Sequence, residues 1–152
     1  MRCFRKYSTY IKRKGDKKIM IEKQDDLINE FVFHSWMKKL VRKLGGSEIK
    51  EYKREEPPHR SPIDVVVKDV NEKFFVFEFY CTLPSVSDVL LKMKTRRNKH
   101  KRYREGKFVA VIPHHALSEY GPHLINEDII PGYWDEYPTG RVSFGISMAY
   151  RK

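Results

Sequence analysis

Cysteine is almost missing from this chain of 152 residues: Cys3 and Cys81 are its only two, too few for a disulfide framework or a cysteine-based zinc site. One bridge between them is allowed and nothing requires it. No apolar run approaches the ~18–20 residues that cross a bilayer, so no membrane partner is expected. The stretch Met1 to Lys18 is basic but lacks the apolar segment and small-residue cleavage site of a secretion signal. The expectation is a cytoplasmic, intracellular protein that is not secreted. No Walker loop, GxGxxG or GxSxG is present, which removes the common nucleotide-binding and serine-hydrolase signatures. The six histidines, including His114-His115 and His123, carry no HExxH or paired Cys/His spacing and read as loop residues. Glutamine is reduced to Gln24 while Lys and Glu are plentiful, a balance that leans toward a thermophilic source.

Acids are outnumbered. Lys and Arg number 31 against 20 for Asp and Glu, a net charge of +11 with a pI near 9.6. Such an excess favours a polyanion, because each neutralised phosphate releases condensed counterions. The expected partner is DNA, with RNA left open. The first 18 residues concentrate this charge, and Lys12, Arg13 and Lys14 within them form a basic arm suited to gripping phosphates.

The length suits a single domain over residues 1–152. From Asp25 to Leu44, apolar residues recur at three- and four-residue spacing, which predicts one helix, with acids in its first turn and Gly45-Gly46 as its stop. Ser47 to Lys53 predicts a short strand, and the apolar runs Ile63–Val67 and Phe74–Tyr80, joined by a polar turn around Asn71, predict a β-hairpin. Beyond Pro84, the stripe Val86, Val89, Leu90 and Met93 predicts a helix that turns basic up to Gly106; Lys107 to Ile112 predicts a buried strand. The Pro/Gly-rich residues 114–152 are expected to form an irregular extension ending in the alternating strand Arg141–Tyr150. Tyr133-Trp134 and Tyr137 within it suit core filling better than a dimer patch. The order implies an α/β (α+β) class, with a mixed sheet flanked by helices.

Chemistry concentrates in two acids. Asp64 opens one predicted strand and Glu78 stands inside the run FFVFEFY near the end of the next, so a hairpin brings both carboxylates to one end of the sheet. A carboxylate among aromatic residues is costly unless paired, protonated or metal-bound. Two such groups, with a backbone carbonyl such as that of Phe79 and water, suit Mg²⁺ or Mn²⁺. The run Lys92, Lys94, Arg96, Arg97, Lys99, Lys101, Arg102 and Arg104 is too dense for a purely solvated face and is expected to contact phosphates.

Ser61-Pro62-Ile63-Asp64-Val65-Val66, followed by Glu78-Phe79-Tyr80 at the end of the next apolar run, resembles the pattern of the PD-(D/E)xK nucleases, in an element order similar to that of archaeal Holliday-junction resolvases. The resemblance covers roughly residues 25–112. It implies a restriction-endonuclease-like core, Asp64 and Glu78 as metal-binding acids, and hydrolysis of DNA phosphodiester bonds. Glu30 corresponds in placement to a further acid that several members turn toward the metal, and Asp26 competes for that role. The departure is Tyr80, where the family has a lysine; a phenol supplies no cation to the pentavalent phosphate. Lys99 is the candidate substitute, because Lys99 and Tyr103 are similar to a Gln/Tyr pair on this helix in RecB-like members; Lys92 and Arg96 are alternatives. Loss of catalysis with retained binding is the competing expectation, and an RNA-binding or assembly protein of unrelated fold is a third. A homodimer and a nicking monomer both remain open.

Overall fold

The apolar stripe expected to make one helix makes two. Phe31 and Met37 fall out of phase on a continuous helix of 3.6 residues per turn, so one straight helix cannot bury both. The computed structural model, which describes residues 24–54 and 63–150, resolves the mismatch at Ser35, whose φ of 63° is left-handed. Helix α1 spans Gln24–Phe33 and α2 spans Trp36–Lys43, each burying its own apolar face. The predicted stop holds: Gly45 takes φ 89°, its N–H donates to Arg42 O at 3.0 Å, and that of Gly46 to Val41 O at 2.9 Å. Gly46 has no room for a Cβ, which would stand 2.5 Å from Val41 and 2.6 Å from Phe75.

Six strands form one mixed sheet in chain order: β1 Ile49–Lys53, β2 Val65–Asp69, β3 Phe74–Phe79, β4 Lys107–Pro113, β5 Ile130–Glu136 and β6 Val142–Ile146. The pairs β1–β2, β2–β3 and β5–β6 are antiparallel; β3–β4 and β4–β5 are parallel. Parallel neighbours need crossovers, which α3 (Val86–Lys99) and α4 (Leu117–Asn126) supply. Alternate residues of the central strands divide between two cores. On one face Val65, Val67, Phe75 and Phe77 meet Leu27, Phe31 and Leu40 of α1 and α2. On the other, Val66, Val76, Phe108 and Ala110 meet Val89 and Met93 of α3 and Leu124 of α4. The expected class, a mixed sheet flanked by helices, is the one observed. No helix among the described residues is long and apolar enough to cross a membrane.

The C-terminal third departs from expectation. Residues 114–140 hold a short 3₁₀ turn, His114–Ala116, then α4 and the interior strand β5. Gly121-Pro122 and Pro131-Gly132 look like breakers in the sequence, but tertiary contacts override them. Leu124 is buried, and Tyr120, buried too, donates its hydroxyl to Pro84 O at 2.6 Å, which ties α4 to the start of α3. Gly132 is a close approach, because a Cβ there would lie 2.9 Å from Val109. Trp134 belongs with the core, packing against the α1/α2 layer, whereas Tyr137 is exposed. Met148 lies beyond β6 and is exposed, so the last strand is shorter than its alternation suggests. The basic arm with Lys12, Arg13 and Lys14 lies outside the described residues, as do Ser61 and Pro62.

The β2–β3 hairpin is locked by a buried acid that composition does not reveal. Asp69, with no exposed surface, accepts from Ser47 N at 2.8 Å and from Asn71 N and Lys73 N at 2.9 Å each. Burial pushes its carboxyl up, but these three N–H groups and the Lys73 charge outweigh that and leave it below the usual range. Asp69→Ala strands three backbone donors, so it is expected to lower the unfolding free energy by about 2–3 kcal/mol. Urea denaturation against wild type checks this; a loss within ~0.5 kcal/mol contradicts it.

Candidate active site

Glu78 is carried into the interior by strand alternation: Val76, Glu78 and Tyr80 share the face of β3 that α3 covers, and Glu78 is 4% exposed. Asp64 arrives from the neighbouring strand, one residue before β2 begins, at the same end of the sheet. The residue is half-buried, yet its carboxylate is enclosed: Oδ2 accepts from Phe79 N at 2.8 Å and from Gln24 Nε2 at 2.9 Å. The acid of one strand is therefore fixed by the peptide that immediately follows the acid of the other. Gln24, the chain's single glutamine, is a site residue that pattern reading missed. Its being the sole residue of its type was the available signal.

The pair is electrostatically tense. Burial pushes the Asp64 carboxyl up to about 6, against the Phe79 N–H, Arg96, Lys92 and Gln24, which pull it down. Glu78 is pushed well above the ordinary carboxyl range, first by burial and then by the charge of Asp64, with Arg96, the Asp64 N–H and Lys92 opposing. Among the described residues Glu78 Oε2 makes no hydrogen bond; Arg96 Nε stands 3.5 Å from it, an ion-pair separation. Lys92 lies one turn earlier on α3, its Nζ 5.5 Å from the centre of the Tyr80 ring. Tyr80 is buried, and its hydroxyl has no hydrogen-bond partner among the described residues. Burial, with the charges of Glu78 and Asp64, pushes that phenol up, so it stays neutral at physiological pH. Its carbonyl accepts from Trp134 Nε1 at 3.0 Å, which fixes the end of β3.

Asp64, Glu78 and Tyr80 thus come together as the sequence suggested, and the cations that bear on the acids are Arg96 and Lys92. Lys99 is elsewhere: α3 ends there, the chain turns at His100, and Lys99 lines a separate basic cleft. Because the helix stops, Lys99 and Tyr103 do not share a helical face. Tyr103 is a core residue, 3% exposed and 4.9 Å from the Phe74 ring, so it presents no face for stacking on a base. Glu30 does not join the pair; it stands on α1, its carboxylate 3.7 Å from His34 just beyond the helix end. Asp26 is buried in α1. No group of three His, Cys, Asp or Glu converges among the described residues. Phe79 contributes its N–H to Asp64 and its ring to the opposite core, where it meets Phe31 and Phe144. Of the basic run, Lys94 pairs with Glu127 at 3.1 Å and Arg97 donates to the carbonyls of Glu127 and Asp128; both brace α3 against the end of α4. Lys101, Arg102 and Arg104 are exposed beyond the helix end.

No protein-family model matches the chain, and comparison with curated proteins gives no match. Among solved structures it is similar to that of Pyrococcus furiosus SfsA in complex with Ca²⁺, at 15% identity and a TM-score of 0.44. The match covers 86% of this chain and 66% of the other, so this chain spans slightly under two thirds of that protein's length. A likeness this distant assigns no residue and no ligand to the present chain.

The raised carboxyls set a pH dependence. The folded protein holds these protons more tightly than the unfolded chain, so the pair's contribution to stability is complete below pH ~4 and drains as pH rises through about 6. In metal-free buffer, wild type is expected to lose about 2–3 kcal/mol through Asp64 between pH ~4 and ~7 relative to Asp64→Asn/Glu78→Gln. Chemical denaturation of both proteins across that range measures the difference. Parallel pH profiles would contradict the coupling.

Proposed function

We propose that the protein binds nucleic acid and hydrolyses DNA phosphodiester bonds, using Mg²⁺ or Mn²⁺ held by Asp64 and Glu78. The observation that carries this reading is a buried pair of mutually repelling carboxylates, one with an oxygen lacking any hydrogen bond among the described residues, facing a helix of cations. The donor set fits a hard divalent ion, since all its atoms are oxygens and a double positive charge relieves their repulsion. When bound, such an ion polarises a phosphodiester and lowers the pKa of an attacking water.

The chain's own residues have separable tasks. Gln24 and the Phe79 N–H hold Asp64 in one orientation, so its second oxygen has a fixed direction. Arg96 and Lys92 supply the positive charge that Tyr80 cannot, and they stand on a helix packed over the acids rather than on the strand. They are the groups suited to stabilise charge that accumulates on the phosphate. This division reproduces the tasks of the PD-(D/E)xK pattern with the cation supplied from α3. The neutral phenol of Tyr80 fills the space beside Lys92.

A second reading has one observation in its favour. The Arg96–Glu78 ion pair already offsets part of the buried charge, as a binding module without catalysis would require. Single-turnover cleavage of supercoiled and linear DNA at saturating protein separates the two. Under the nuclease reading, wild type cuts with Mg²⁺ or Mn²⁺ and stops in EDTA. Glu78→Gln loses roughly 100-fold or more, and Arg96→Met and Lys92→Met lose about 10- to 100-fold each. Tyr80→Phe and Lys99→Met stay within about threefold of wild type. Tight binding with no cutting under either metal establishes the binding module instead.

A further inference from the structure

Five cations converge at a second place on the molecule. A cleft of 510 Å³ lies between the edge strand β1 and the end of α3, with Lys53 and Arg54 on one side and Lys99, Lys101 and Arg102 on the other. Its volume is that of a ligand site, roughly 300–1,000 Å³. Among the described residues no acid lines it. None of the ion pairs among the described residues involves these five side chains.

Helix-end electrostatics explains only part of this convergence. Lys99 complements the carbonyl end of α3, as cations in a last turn do. Lys53 and Arg54 come from a different part of the chain, and bringing them alongside the helix end adds repulsion that no ion pair among the described residues relieves. The frame is also rigid. Tyr103 is buried against Phe74 and stacks with His100 at 6.0 Å and 14°, so the turn carrying Lys101 and Arg102 is pinned to the core. Gly106 closes that turn so tightly on β3 that a Cβ there would stand 2.6 Å from Phe74 O. Across the cleft, Arg54 Nη1 donates to Asn29 Oδ1 of α1 at 2.7 Å, which fixes the direction of its guanidinium. Exposed lysines on a pinned turn facing an oriented arginine make a preorganised anion site rather than a mobile basic face.

The cleft is aligned with the acids. Lys92 lies over Tyr80, Arg96 beside Glu78, and Lys99 at the cleft, so successive turns of α3 present cations down the length of β3 at about one helical pitch, ~5.4 Å. We propose that this cleft is a phosphate subsite for the nucleic-acid backbone, seating a phosphate next along the strand from the phosphodiester held at Asp64 and Glu78. The inference rests on the nucleic-acid part of the proposed function and is independent of cleavage.

Fluorescence anisotropy of a labelled DNA duplex, titrated with protein in EDTA over a range of salt, tests it. Lys99→Glu/Lys101→Glu is compared with Arg42→Glu/Lys43→Glu, exposed positions ending α2 beneath the other face of the sheet and carrying the same charge change. The cleft variant is expected to weaken binding by about tenfold or more and to flatten the salt dependence by about one to two phosphate contacts, while the α2 variant stays close to wild type. Inorganic phosphate is added as competitor: displacement of DNA only through the general salt effect assigns the site to backbone phosphate, whereas saturable displacement at micromolar phosphate assigns it to the free anion and overturns the proposal. Equal losses in both double variants reduce the effect to net charge and overturn it. Unchanged binding in the cleft variant overturns the subsite alone, and no binding by wild type overturns the nucleic-acid reading with it.

Discussion

Strand β3 is buried on both faces, and the site follows from that constraint. Phe75, Phe77 and Phe79 point toward α1 and α2, while Val76, Glu78 and Tyr80 point toward α3. A carboxylate on such a strand has lost water before it meets any partner. Everything nearby answers that loss: the Asp64 N–H, the guanidinium of Arg96, the charge of Lys92, and the coupling to Asp64 that keeps a proton on the pair. An aliphatic residue at 78 would pack with less difficulty. A carboxyl there, beside a second acid that raises its cost, suits a group whose partner is a cation.

The arrangement of cations deepens the same logic. Had position 80 carried a lysine, its ammonium would stand on the same strand face as Glu78. Tyr80 instead leaves a neutral phenol there, and the positive charge comes from across the core, on α3. That displaces the basic groups from the strand to a helix that continues toward the cleft, so one element carries cations both to the acids and to the cleft. The high net charge, +11, is therefore structured: part braces α3 against α4, part faces the acids, and part opens into the cleft.

Much of this was legible in the sequence where a short-range period carries the signal. The β2–β3 hairpin, the basic helix, the β4 strand and the meeting of Asp64 with Glu78 follow from alternation and spacing. What stayed hidden depends on long-range contacts or on a single unusual dihedral. The left-handed Ser35 that splits α1 from α2 has no marker beyond a phase slip between Phe31 and Met37. The α4 helix and β5 strand are masked by Gly121-Pro122 and Pro131-Gly132, which the surrounding structure accommodates. An unbroken helix to Tyr103 would favour Lys99 as the substitute cation, but α3 ends at Lys99, and the charges that reach Glu78 come from one and two turns earlier. Lys53 and Arg54 join the cleft from a strand far away in sequence, and no local pattern announces them.

The central claim, that Asp64 and Glu78 form a divalent-metal site, is tested most directly by calorimetric titration of Mn²⁺ into metal-free protein at pH ~6, in two buffers of different ionisation heat. Because both carboxyls are held up in the folded protein, the account predicts saturable binding accompanied by proton release, with both signals lost in Asp64→Asn/Glu78→Gln. Absence of binding by wild type at millimolar Mn²⁺, or equal binding by the double variant, would contradict it.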